Sequence, residues 1–406
     1  MTQKPKVLFL SQILPYPLDS GPRIRTFFVL KHLTANYDIT LVAFIRSEDE
    51  MKNVGPLSEL CQVHPVLFER SLTRDATMAL RSLITGEPFM IIRHQSERMR
   101  QTIKDLMAAQ DFDLIHVDQI KTAQYVEGIT TLPRLIDKHN VYAHIVKGVA
   151  EEKGSPFKRW LARLEWPKLA RYEGRVCREF DHVLAVTEED KQALAQLAGT
   201  PCSITVVPIA AAPDTVGVVQ RQPDARDIVS VGSMFYPPNV EGVLWFADEV
   251  YPLIKAQLPD VKLYLIGSRP ARAIRRLGER DPSIVVTGYV EDLAPYLARS
   301  AVMIAPLHFG SGMRVKILDS LARGMPLVST PFGCQGIHVT HDENILIADA
   351  PEDFAAMVQQ VIEDRDVANR LATNGRRLME TEYHWRVVYR ALDDVYQRMI
   401  NGRVNG

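Results

Sequence analysis

Short apolar runs alternate with amphipathic stretches along most of the chain. Runs at 7–10, 39–44, 114–117, 134–136, 183–186 and 204–207 are rich in Val, Ile, Leu and Phe and predict strands. Between them, 24–33, 97–109 and 188–197 carry apolar residues at helical spacing. The alternation restarts with strands expected at 228–231, 262–266, 284–287, 302–305 and 327–329, and helices at 240–255 and 313–323. Near-continuous apolar strands separated by helices predict parallel sheets covered on both faces. The rhythm breaks once, at 208–226, where three prolines, an alanine run and Gly217 predict a domain linker. The expected organisation is an N-terminal domain at 1–207, a linker at 208–226 and a C-terminal domain at 227–383. A final stretch at 384–406 carries a helix at 385–400 that packs back on the N-terminal domain.

Composition narrows the class. At 406 residues two cores are the default, and 46% hydrophobic with 24% charged residues is the balance of a soluble globular protein. A net charge of -1 gives no support for a nucleic-acid partner. The four cysteines form no CxxC, which speaks against a zinc site or a disulfide framework and suits a cytoplasmic location. No apolar run approaches the roughly 20 residues of a membrane span. The stretch 147–178 is locally basic and carries Trp160, Trp166 and Tyr172, which allows a peripheral contact at the inner face of a membrane. An ordinary cover helix is the competing reading.

The most informative stretch runs from Gly310 to Thr330. Small residues, Ser311 and Gly312, precede a helix and leave its first amides open to an anion. Arg314 and Lys316 bring cations to the same end and suit a diphosphate. Asp319 follows, placed to accept hydrogen bonds from a ribose diol. A plain surface helix with an Asp319–Arg323 pair is the competing reading. Gly232 and Ser233, after the first strand of the second half, are expected to present amides to the same diphosphate. Gly21, between strand and helix near the N-terminus, allows close backbone approach to a ligand. Arg23 and Arg25 read as exposed helix arginines. Asp111-Phe112-Asp113 spells DxD but opens a strand, so no metal is expected there. No GxGxxG follows a strand, so no cofactor is expected.

Taken in order, several of these pieces resemble the family-4 retaining glycosyltransferases, and more narrowly bacterial exopolysaccharide-type sugar transferases. They are Pro15-Tyr-Pro-Leu-Asp-Ser-Gly21, Leu135-Ile-Asp-Lys-His-Asn140, Val186-Thr-Glu-Glu-Asp190, Val231-Gly-Ser-Met-Phe-Tyr-Pro-Pro-Asn239 and Phe309 to Thr330. The resemblance spans nearly the whole chain. It implies a GT-B architecture, two Rossmann-like α/β domains facing across a cleft. It also implies transfer of a sugar from a nucleotide diphosphate sugar to a carbohydrate-type hydroxyl, with retention and without a metal. Tyr289 and Val290 occupy the place where relatives seat the nucleobase. Asp118 stands where relatives carry a histidine near the reacting carbon, and His139 ends a neighbouring strand. Either is expected to act on the acceptor side. Two departures stand out. Ser311 replaces one familiar Glu, which held sugar hydroxyls, and Asp319 replaces the other. A nucleotide-sugar 2-epimerase and a non-catalytic nucleotide-sugar-binding relative remain the alternatives.

Overall fold

The computed structural model describes residues 4–151, 155–310 and 312–402. Strands β1 (Lys6–Ser11), β2 (Asp38–Ile45), β3 (Gln62–Leu67), β4 (Leu114–Asp118), β5 (Arg134–Asp137), β6 (His182–Ala185) and β7 (Ile204–Val206) form the first sheet. Its order is β3-β2-β1-β4-β5-β6-β7, and every pairing is parallel. Strands β8 (Asp227–Val231), β9 (Leu263–Ile266), β10 (Ile284–Gly288), β11 (Ser300–Ala305), β12 (Leu327–Ser329) and β13 (Leu346–Ile347) form the second, in order β10-β9-β8-β11-β12-β13. It too is wholly parallel. Both are doubly wound Rossmann-like sheets. Their switch points lie where β1 meets β4 and where β8 meets β11, and ligands of such sheets bind at the carboxyl ends there.

β3 is absent from the pattern-based reading because Pro65 interrupts it and Gln62 and His64 dilute it. A proline that cannot donate to the ladder is tolerated at an edge, and β3 is the edge strand. β13, two residues long, closes the other sheet at its edge and is equally quiet in sequence.

The chain divides into two compact units, Met1–Ile209 with Val388–Gly406, and Ala210–Val387. Each has its own apolar core, one packed around Leu8, Val42 and Ile115 and the other around Ile228, Leu263 and Val302. The segment expected as a free linker is, from Ala210 onward, part of the second unit. The Val219 amide donates to the Arg323 carbonyl at 2.9 Å, Gln222 to Ala298 at 2.7 Å, and Arg376 holds the Pro213 carbonyl at 2.9 Å. Proline-rich chain that lacks sheet partners is tied down here by side-chain and loop hydrogen bonds. The last helix, Arg390–Asn401, belongs to the first unit. There Tyr396 meets His116 Nδ1 at 2.6 Å and Asp393 meets His32 at 2.9 Å. Among the described residues no helix is long and apolar enough to cross a membrane.

Candidate active site

In the first unit, parallel register sets three side chains level at the strand ends. Ser11 pairs with Asp118, and Asp118 with Asp137. The helix that follows β1, Gly21–Leu33, turns Thr26 and Arg25 onto the same spot. Ser11 Oγ donates to Asp118 Oδ2 at 2.8 Å and Thr26 Oγ1 to Asp118 Oδ1 at 3.1 Å. His139 Nε2 lies 2.9 Å from Asp118 Oδ1 and 3.7 Å from Asp137 Oδ2. Arg25 grips Asp137 with both arms of its fork, at 3.0 and 2.8 Å, and also donates to the carbonyls of Pro208 and Val207. All of these side chains are buried.

This geometry corrects two expectations. Arg25 is no exposed helix arginine but a buried cation, only 1% accessible, as Lys138 is. Asp118 is no open carboxylate at a strand end, because it is buried with both oxygens engaged. Asp118 and His139, first set against each other as rivals, form one unit. Sequence alone hides this, because the partners of Arg25 lie 112 and more than 180 positions away. A buried arginine requires such a partner, but the chain does not announce which arginine is buried.

The electrostatics follow from the contacts. Burial works against ionising Asp137, yet the Arg25 guanidinium and then His139 outweigh it and hold the carboxyl well below its usual range. Burial likewise opposes a charged His139. The Asp118 carboxylate, with Asp137 behind it, reverses the balance and raises the imidazole pKa. His116, one strand position before Val117, goes the other way. Buried against Phe9 at 4.1 Å between ring centres, its pKa falls to about 4, as suits a packed structural histidine. Asp118, Asp137 and His139 also offer ligand atoms within 4.8 Å of one another, a set a metal ion accepts. In this fold their oxygens already receive Arg25, Ser11 and Thr26.

One pH prediction follows. A His whose folded pKa is raised contributes stability that is whole below its unfolded value, about 6.5, and is lost as pH rises through the folded value. Thermal melts of the wild type should therefore lose Tm between pH 6 and 9 more steeply than melts of His139→Gln. Parallel slopes would show that His139 is not held charged.

In the second unit the carboxyl end of β8 leads through Gly232 and Ser233 into the helix Pro237–Trp245. That helix sits very close to the end of β11. A Cβ on Gly242 would fall 1.8 Å from the Pro306 carbonyl oxygen, so only glycine fits. The Gly232 amide donates to the Ile266 carbonyl at 3.0 Å. It is committed to the sheet, and this corrects its expected role as an amide for a diphosphate. Asn239 turns back instead, giving its Nδ2 to the Ser233 carbonyl and accepting Lys316 Nζ on Oδ1, both at 3.1 Å.

Lys316 belongs to the helix Val315–Ala322, and Arg314 is its N-cap residue rather than part of its first turn. Gly310 and Gly312 have φ of 133° and 74°, a backbone path closed to most other residues. This path brings Arg314 back over the loop. Its guanidinium bonds the Gly312 carbonyl and stands 5.1 Å over the Phe332 ring. Lys316 is half-buried. Desolvation first, and the Arg314 charge second, push its ammonium pKa down to about 7. Among the described residues no carboxylate pairs with it. Asp319 accepts Arg323 Nε at 2.9 Å, so the i,i+4 pair of the competing reading exists; it fixes the carboxylate one turn beyond Lys316. Tyr289 is exposed directly after β10 and Val290 is half-buried beside it. Gly21 begins the first helix of the first unit. Ser311 lies outside the described residues. Asp113, from the DxD, accepts the Lys6 amide at 2.8 Å at the opposite end of β4 from Asp118.

Comparison with known proteins bears on both units. Residues 26–214 match the model described as Glycosyltransferase Family 4, and residues 225–364 the model described as Glycosyl transferases group 1. An uncharacterised 44.6 kDa protein in the cps region of Klebsiella pneumoniae is 20% identical over 401 residues, covering 95% of this chain and 98% of that protein. Among solved structures, sucrose-phosphate synthase from Thermosynechococcus elongatus superposes with a TM-score of 0.72 at 15% identity, over 98% of this chain and 100% of the other. Anabaena Alr3699/HepE in complex with UDP-glucose does so with a TM-score of 0.62 at 15% identity, over 97% and 99%.

Proposed function

Since the chain belongs to the family-4 glycosyltransferases and has their GT-B fold, we propose that it moves a sugar from a nucleotide diphosphate sugar to a carbohydrate-type hydroxyl, with retention at the anomeric carbon. The observation that carries this reading is Lys316. A half-buried ammonium with a depressed pKa and only an amide oxygen for company is a site short of one anion. A diphosphate would supply it. Arg314 and Lys316 then stabilise the negative charge that grows on the departing diphosphate, in a partly desolvated site where such charges count most. They supply that charge without a metal ion. Asp319, oriented by Arg323, takes the ribose, and Tyr289 with Val290 flanks the base. HepE, a structural relative, binds UDP-glucose, which agrees with a donor of this class.

Asp118 and His139 act as one charge-paired unit on the acceptor side. Asp118 fixes His139, and His139 holds a hydroxyl of the transferred sugar or of the acceptor. Neither carboxylate is poised as a covalent nucleophile, because Arg25 and the Ser11 and Thr26 hydroxyls occupy them. A front-face displacement, in which the diphosphate leaves as the hydroxyl attacks, fits that arrangement. The setting is cytoplasmic polysaccharide synthesis, in keeping with four cysteines that are all free thiols.

The test is a product analysis. Proton NMR of reactions with nucleotide sugars and sugar acceptors should show a new glycoside with the donor's anomeric configuration. Inverted product, or an epimerised donor in the absence of any acceptor, would overturn the reading.

A further inference from the structure

Exposed large apolar side chains gather on two helices of the first unit. Leu72, Leu80, Leu83 and Ile84 stand on the helix Leu72–Thr85, and Phe157, Trp160, Leu161 and Leu164 on the helix Pro156–Glu179. The second set lies at i, i+3, i+4 and i+7, which is one face of a helix. Ala162, on the opposite side, is buried, so the stripe points away from the core. Phe157 is 65% accessible and Trp160 55%.

The same face continues one turn on to Lys168. There Nζ reaches the Ser82 carbonyl and hydroxyl at 2.9 Å each, on the Leu72–Thr85 helix. The long helix is thus anchored to its neighbour at Lys168, while its preceding turns stay bare. The neighbour's exposed Leu83 and Ile84 directly follow the anchoring Ser82, so the two apolar surfaces adjoin.

Charge selects the occupant. Residues 156–164 contain Lys158, Arg159 and Arg163 and no acid. The next acid, Glu165, is turned inward to accept the Met90 amide at 2.8 Å. Lys158 and Arg163 flank the stripe and are exposed, whereas Arg159 is half-buried on the side of Ala162. A second copy of this chain would bring these two flanking cations face to face, which is repulsive. An anionic bilayer offers the complement. Trp and Phe favour the boundary between headgroups and acyl chains, and basic side chains beside them meet the lipid phosphates.

We propose that this two-helix surface docks the first unit onto an anionic phospholipid bilayer, with Phe157, Trp160, Leu161 and Leu164 inserted at the interface. The helix lies in the plane of the membrane and does not span it. Docking is independent of donor chemistry, so it stands or falls separately from the transferase reading.

The experiment is co-sedimentation of the full chain with vesicles of phosphatidylcholine alone, or of phosphatidylcholine mixed with phosphatidylglycerol, without donor or acceptor. Wild type should pellet with the mixed vesicles only, less so as salt rises. Phe157→Glu/Trp160→Glu should weaken binding at least about tenfold. Lys158→Glu/Arg163→Glu should weaken it by about fivefold or more per cation lost. Thermal melts of both double variants should match wild type, because the altered side chains are exposed or lie on the outer face. Equal binding to both vesicle types, or variants that bind as wild type does, would overturn the proposal. So would a wild-type dimer in solution that Phe157→Glu/Trp160→Glu converts to monomer, which would assign the face to a second copy.

Discussion

Asp137→Asn should destabilise the first unit by about 3–5 kcal/mol, the cost of leaving a buried charge without its partner. For a unit of this size that lowers Tm by roughly 10 °C. The reason is local. Arg25 is wholly buried and its fork is met by Asp137 and by the carbonyls of Val207 and Pro208. Asparagine keeps the shape and one acceptor but removes the charge. Arg25→Met should cost a similar amount, since Asp137 then keeps only His139 as a cationic neighbour. The pair Arg25→Met with Asp137→Leu should lose clearly less than the sum of the single variants. Calorimetric melts of the four proteins in this cycle decide the matter. Additive losses would mean that the two residues act separately and that the network is not what holds His139.

Lys316→Met should lower sugar transfer by about 10²–10³-fold, the range seen when one donor to a developing oxyanion is removed. It should do so without lowering Tm. The ammonium is partly desolvated and lacks a carboxylate in the described structure, so an apolar chain of similar length suits the site at least as well. A loss of activity joined to unchanged or increased stability is the mark of a residue kept for a ligand. Arg314→Lys should be harmful as well, because a lysine cannot reproduce the fork that bonds the Gly312 carbonyl and stacks on Phe332. Turnover near wild type in both variants would remove the diphosphate from this helix end.

Sequence reading succeeds and fails here for physical reasons. Strands buried on both faces must be apolar throughout, so β1, β4, β5, β8 and β11 stand out without any tertiary information. β3 does not, because an edge strand tolerates Pro65 and polar neighbours. The helix-end pattern around Arg314, Lys316 and Asp319 is legible because the residues are neighbours in sequence. What they touch is not. Asn239, whose amide oxygen accepts the Lys316 ammonium, is 77 positions away. Gly232 looks open in sequence because the carbonyl that accepts its amide, on Ile266, belongs to β9, a separate strand. Arg25 is the largest omission. Its signal in sequence is one of several cations, with Arg23, Lys31 and His32, on the same helix, and nothing local sets it apart from a surface residue. Only parallel register, which levels Ser11, Asp118 and Asp137, explains why this arginine is inside.

A nucleotide diphosphate held on Lys316 by the second unit must couple its binding to a proton. In the free protein, burial and then the Arg314 charge push the Lys316 ammonium pKa down to about 7. A bound diphosphate would raise that value, so binding above pH 7 must take up a proton. Over this range the ligand's own phosphate, with a second pKa of about 6, is already ionised. Calorimetric titration of a panel of nucleoside diphosphates between pH 6.5 and 9 should find one that binds, with affinity falling up to about tenfold per pH unit above 7. Lys316→Met should bind it weakly and without that slope. A pH-independent affinity shared by wild type and variant, or no binding by any member of the panel, would mean that Lys316 holds no diphosphate.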